Sequence, residues 1–219
     1  MTLAVLVLSI MRKFTKHVLQ VVTLFAALIT LNSCDGSDSG FNDDFDHHNY
    51  PPFYVSDDHR TAVLNGTIDS NSLSQFNQMI DDNPEIDTIE FDQAPGSADD
   101  DVNVQIGRKI RSLNLNTHIV DGGIIASGAV DLFLAGRNRT RGFNTFVGVH
   151  AWADSDGNQA TDYSPNSSVH DFYINYYLNI GMGSQLANDF YFFSINAADA
   201  DDLHFMTEGE IDLYRIFTN

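Results

Sequence analysis

The stretch from Thr117 to His150 carries the residues best suited to chemistry, with Ser127 at its centre. It reads Thr-His-Ile-Val-Asp-Gly-Gly-Ile-Ile-Ala-Ser127-Gly-Ala-Val-Asp-Leu-Phe-Leu-Ala-Gly, crosses Arg137, Arg139 and Arg141, and ends in Phe-Val-Gly-Val-His150. Residues 118 to 120 are β-rich, Gly122-Gly123 breaks the run, and Val130, Leu132, Phe133 and Leu134 predict a short, largely buried helix beginning at Ser127. A hydroxyl there sits beside unpaired backbone N–H groups and the positive end of the helix dipole. That environment suits a nucleophile whose attack generates an oxyanion. It equally suits a plain N-cap, in which the serine oxygen accepts a hydrogen bond from an amide two or three residues on.

Other reactive residue types fall outside this stretch. His47-His48 among Asp43, Asp44 and Asp46 could collect a divalent cation, but without a folded scaffold such a site is weak. Asp154-Ser155-Asp156-Gly157-Asn158 has the acids of a calcium loop, yet its glycine is out of register and no glutamate closes it, so it reads as a turn. No metal site and no cofactor are expected. Cys34 is the only cysteine and cannot form an intramolecular disulfide. It follows a basic segment (Arg12, Lys13, Lys16), an apolar run from Val18 to Leu31, and Asn32-Ser33, the order of a secretory leader. Leu31-Asn32-Ser33-Cys34 resembles a bacterial lipobox, whose cysteine is acylated and becomes the mature N-terminus. Residues 1–33 are therefore expected to be a lipoprotein leader, with Met11 the better start, and the chain to be lipid-anchored at the bacterial cell envelope, facing the periplasm or the exterior.

Charge narrows the partners. The 11 Lys and Arg include three in the leader, so eight basic residues face 30 acidic ones in the remainder. Such a surface repels phosphate backbones, which argues against nucleic acid and against anionic membrane contacts other than the anchor. Residues 34–60 read as an acidic, flexible tether, and 61–219 as one folded domain.

Within that domain the pattern predicts a strand over 61–68, a helix over 72–81 and a strand over 86–91. A Pro95-Gly96-Ser97 turn follows, then a helix over 99–115 with acids first and bases last. Strand and helix alternate, which makes the fold α/β, a parallel sheet flanked by helices. Phe172, Tyr173, Tyr176 and Tyr177 mark an aromatic helical stretch, and Thr207 with Glu210 makes a capping box for a terminal helix.

Taken together, Ile89-Glu-Phe-Asp-Gln-Ala-Pro-Gly96, Ile110-Arg-Ser-Leu-Asn-Leu-Asn-Thr117, Ala126-Ser127-Gly128, Phe133-Leu-Ala-Gly136, Arg139 and Val147-Gly-Val-His150 resemble the Clp protease proteolytic subunit and its periplasmic relatives, within the Clp/crotonase superfamily. The resemblance covers most of 61–217. It implies a superhelix of ββα units, with Ser127 as nucleophile, His150 as base, and the backbone N–H groups of Gly96 and Gly128 as the oxyanion hole. Phe205-Met206-Thr207 matches the family's helix start, and counting back from it places the third member at Asp199, with Asp201, Asp202 and Asp171 as rivals. Two positions depart from the pattern: Ser97 stands where the family has a second glycine, and Gly128-Ala129 makes the helix after the serine unusually small.

The resemblance implies a serine peptidase or acyl hydrolase acting on a peptide or acyl substrate and assembled as a homo-oligomer, for which the aromatic run 172–177 offers apolar surface. An envelope lipoprotein that keeps the fold only for binding is the alternative. A crotonase-like thioester enzyme would need acyl-CoA outside the cytoplasm, and an α/β-hydrolase elbow would need glycine where Ile125 stands.

Overall fold

A computed structural model describes residues 45–218, with side chains from Asn49 onward. The expected leader, Cys34 and the first part of the tether lie outside the described residues, as do the side chains of His47 and His48.

The elements run β1 (Phe45–Tyr50), β2 (Phe53–Ser56), β3 (Thr61–Leu64), α1 (Ser72–Asp82), β4 (Thr88–Ala94), α2 (Asp100–Ser112), β5 (Asn116–Ala126), α3 (Gly128–Leu134), β6 (Arg139–Arg141) and β7 (Phe146–Val149). Then come α4 (Asp171–Asn179), α5 (Ser184–Ala197), β8 (His204–Phe205) and α6 (Glu208–Leu213). Among the described residues the strands form one eight-stranded sheet in the order β1-β2-β3-β4-β5-β7-β8, with β6 also on β5. Its centre, β3-β4-β5 with β6 and β7, is parallel as the strand–helix alternation requires. Both edges are antiparallel, so the sheet is mixed.

The fold starts earlier than the expected Thr61. Tyr50, Phe53 and Val55 are buried in the β1–β2 hairpin, and Phe53 meets Phe76 of α1 edge-on at 5.4 Å between ring centroids. The acidic composition around them masks the two-residue alternation that sends these side chains inward.

One sheet face, carrying Ala62, Leu64, Ile89, Phe91, Thr117 and Ile119, is fully buried under helices. Helix α1 supplies Phe76 and Met79 to that core, and α2 supplies Val104, Ile106 and Ile110. Asp99 caps α2 by accepting from Val102 N at 3.1 Å, with acids in its first turn and Lys109 and Arg111 in its last. Every residue of α3 is buried, and Phe133 packs edge-on against Phe91 at 5.6 Å.

Strand β5 runs straight through Gly122-Gly123, which was expected to end it. Its register against β4 shifts between Phe91 and Gln93, and Gly122 takes a φ of 73° there. The glycines thus bend the strand without ending it. In the predicted aromatic stretch, α4 inserts Tyr176 between α2 and α3. The Tyr176 hydroxyl fills the space a Cβ would need at Gly107 and donates to the Asp131 carbonyl at 2.7 Å. Thr207 and Glu210 form the capping box predicted for α6, and Asp154 folds its loop into a turn by accepting from the N–H groups of Asp156 and Asn158, each at 2.9 Å.

Candidate active site

Three neighbouring parallel strands, β4, β5 and β7, end at the same edge, and the residues just beyond their carboxyl ends are Gly96, Ser127 and His150. Residues from three separate segments are thereby brought together where open α/β sheets present their ligand crevice.

Ser127 has φ 54° and ψ −132°, a backbone conformation that side chains with a Cβ rarely adopt. The cause is geometric. Its N–H still completes the β5–β7 ladder by donating to the Gly148 carbonyl at 3.0 Å, while its own carbonyl already accepts from Val130 N at 2.9 Å to start α3. The chain must turn from strand to helix within one residue. The hydroxyl makes no capping hydrogen bond. The plain N-cap reading therefore has no contact to support it, and among the described residues this half-buried side chain has no hydrogen-bond partner in a run of otherwise buried residues.

Gly96 packs directly on this serine. With φ at 130°, a Cβ there would lie 2.8 Å from Ser127 Cβ and 3.3 Å from Ser127 Oγ. The turn is held by Gly96 C=O accepting from Ile68 N at 3.0 Å and by Ala98 N donating to Ile68 O at 2.7 Å. Among the described residues, neither Gly96 nor Gly128 donates its N–H to a hydrogen bond. Two amide donors next to a serine hydroxyl are what an oxyanion hole requires.

The two departures from the family pattern meet in space. A Cβ on Gly128 would collide with the Ser97 hydroxyl and come within 3.0 Å of Asn103 Nδ2. Ser97 occupies the volume that the missing side chain at 128 leaves open. Asn103, 1% exposed, donates to the Gly128 carbonyl at 2.9 Å and leaves its Oδ1 without a partner.

His150 is half-buried, and burial lowers its pKa from 6.5, partly offset by the backbone at Ala151 and Ala200 and by the charge of Asp100. A neutral ring is the form that can take a serine proton. Its Nδ1 is buried without a well-aligned hydrogen bond, the backbone at Ala151 and Ala200 lying beside the ring, and no hydrogen bond joins the ring to Ser127 Oγ among the described residues.

Asp199 lies in the turn after α5, whose backbone does reach the site: Ala151 N donates to Ala198 O at 2.9 Å. The Asp199 side chain is exposed and does not bond His150, while its carbonyl accepts from Asp202 N at 3.0 Å. Asp201, Asp202 and Asp171 are exposed as well.

Two acids to which the sequence alone assigns no role sit in the helices that follow Gly96 and Ser127. Asp100 accepts from Ser97 Oγ at 2.6 Å and from the Tyr173 hydroxyl at 2.6 Å. Asp131, one helical turn after Ser127, is 7% exposed, accepts from the Tyr177 hydroxyl at 2.6 Å, and is pushed by burial to about 7. The signal for Asp131 was its i+4 spacing from Ser127 on an otherwise apolar helix. Asp100 looked like one of several first-turn acids.

No protein-family model and no curated protein matches this chain. Among solved structures, the chain is similar to a mutant of the 1510-N membrane-bound stomatin-specific protease, at 18% identity with a TM-score of 0.48, covering 71% of this chain and 75% of that one. It is also similar to ClpP1 from Listeria monocytogenes, at 16% identity with a TM-score of 0.49, covering 73% of this chain and 89% of that one. The likeness is one of fold.

Proposed function

We propose that this chain is a serine hydrolase of the Clp-protease type that cleaves peptide or acyl bonds at the outer side of a bacterial membrane, tethered through lipid on Cys34. Ser127 is the nucleophile, His150 the general base, and the N–H groups of Gly96 and Gly128 bind the oxyanion. One observation carries the reading: Ser127 holds a strained backbone while its hydroxyl stays out of any cap and packs on Gly96. Its backbone hydrogen bonds account for the turn, but the hydroxyl takes no part in them, and strain at a residue whose side chain has no structural task supports a functional reading.

The step follows from the groups present. As Ser127 Oγ bonds to the substrate carbonyl carbon, its proton passes to His150, and the carbonyl oxygen takes the negative charge facing the two amides. The bond to the leaving group then breaks as His150 returns the proton to it. Water repeats the sequence to release the acid and restore Ser127. Ser127 and His150 must first close to hydrogen-bond distance, a tightening that substrate binding commonly brings. Asp199 is proposed as the group that moves in behind the ring.

A fluorophosphonate probe, with the adduct mapped by mass spectrometry, tests this. Wild-type protein should carry the adduct on Ser127, whereas Ser127→Ala and His150→Ala should fold and remain unlabelled. A folded wild type that never reacts would leave the binding lipoprotein, the reading favoured by the unbonded Ser127–His150 pair. The anchor is tested separately, since Cys34→Ala should move the chain out of the membrane fraction and remove the lipid mass. Light scattering should show an assembly larger than the monomer.

A further inference from the structure

Helix α3 starts on the residue least able to hold a fixed orientation. Gly128 is its first position, directly after Ser127 with its φ of 54°, and glycine has the widest backbone freedom of any residue. An oxyanion donor works only when it is aimed before the charge develops. A glycine in that role therefore needs support from outside its own helix.

Asn103 supplies such support from α2. It is 1% exposed, and its Nδ2 donates to the Gly128 carbonyl at 2.9 Å from 25 positions away in the sequence. The same nitrogen lies 3.0 Å from where a Cβ on Gly128 would stand, a position that Ser97 crowds as well. The peptide that carries the Gly128 N–H is thus fixed at both ends. Its carbonyl, that of Ser127, accepts from Val130 N at 2.9 Å, and its far α-carbon is held through Asn103.

The bond from Asn103 is not one that α3 requires. A carbonyl at the first position of a helix accepts from the amide four residues on, so the helix start can be satisfied from within. Nor does the bond satisfy Asn103, whose Oδ1 is buried without a partner. A buried amide with one end orphaned costs stability relative to an apolar side chain of the same shape. That balance favours a role in aiming the segment it touches over a role in holding the fold together.

We propose that Asn103 is a positioning residue for the oxyanion hole, clamping Gly128 so that its N–H points where the negative charge forms. The proposal rests on the hydrolase reading for its purpose, since an aimed N–H matters only where an oxyanion develops.

The test compares the full chain with Asn103→Leu, whose branched side chain keeps the shape and loses both the donor and the orphaned acceptor. Backbone amide relaxation by NMR should give Gly128 an order parameter of about 0.85 in wild type, falling toward about 0.6 in the variant. With the fluorophosphonate probe, the maximal rate of Ser127 labelling should fall roughly 10- to 100-fold while the half-saturating concentration stays within about twofold, because the clamp acts on the transition state. A residue that only supports the fold would not produce that split. Labelling at the wild-type rate, or a Gly128 as ordered in the variant as in wild type, overturns the proposal. If Asn103→Leu fails to fold, Asn103→Ala also removes the donor without asking for extra volume, and the same two readings decide. The relaxation reads the clamp whether or not Ser127 reacts, so a wild type without adduct counts against the hydrolase alone.

Discussion

Replacing Asp131 with asparagine should make the protein's stability rise with pH relative to wild type. The Asp131 carboxyl is pushed from 3.8 to about 7, first by burial and then by the charge of Asp100, with the Tyr177 hydrogen bond acting the other way. A folded-state value above the unfolded one means its contribution is fully present below pH 3.8, where both states are protonated, and is lost as pH rises through about 7. At about 1.4 kcal/mol per pH unit, the gap amounts to about 4 kcal/mol. The substituted amide carries no charge to bury, and its carbonyl can still accept from Tyr177. Urea unfolding of both proteins from pH 4 to pH 8 should give a stability difference that climbs by roughly that amount and flattens beyond about 7. Other titrating groups cancel in the difference, including His150, whose lowered value adds stability as pH rises. A difference that stays flat across the range would show that Asp131 is solvated in the folded state, and would refute the reasoning.

Gly96→Ala should destabilise the fold by about 2 kcal/mol or more and abolish Ser127 labelling, because φ of 130° excludes alanine and its Cβ would press on Ser127 Cβ; denaturant midpoints and the probe read both effects. Ser127→Gly should raise stability by about 1 kcal/mol while ending labelling, whereas Ser127→Ala, which keeps a Cβ at φ 54°, should not raise it. Gly128→Ala should cost about 1–3 kcal/mol by colliding with Ser97, and Ser97→Gly should recover much of that loss in the double variant, a coupling that a mutant cycle measures. Labelling of Ser127 should fall as pH drops through the His150 pKa, with the midpoint below 6.5 because burial disfavours the charged ring.

What could be seen in the sequence was whatever depends on local order. Apolar spacing located α1 and the buried α3, the acid-to-base gradient located α2, and the Thr207–Glu210 pair located the start of α6. Strand and helix alternation yielded the parallel centre of the sheet, the turn at Pro95-Gly96-Ser97 was legible after its strand, and Ser127 was legible as a helix start but not as the end of the strand that runs into it. What escaped depends on contacts between distant segments. The β1–β2 hairpin hides in acidic composition because only the partner Phe76 makes Phe53 a core residue. Asp100 is one acid among three at 99–101, and nothing local separates it from its neighbours. Tyr173, 73 positions away, does so by bonding it. The same holds for the two departures from the family pattern. Read along the chain, a serine at 97 and a glycine at 128 are separate departures from the pattern that the sequence resembles. In space they are one exchange of volume, since the hydroxyl of one fills the gap left by the other. That exchange introduces a hydroxyl between Gly96 and Gly128, and Asp100 is the group that accepts a hydrogen bond from it. Two changes that look unrelated in one dimension are thus one packing contact in three, and among the described residues the N–H groups of Gly96 and Gly128 beside it make no hydrogen bond.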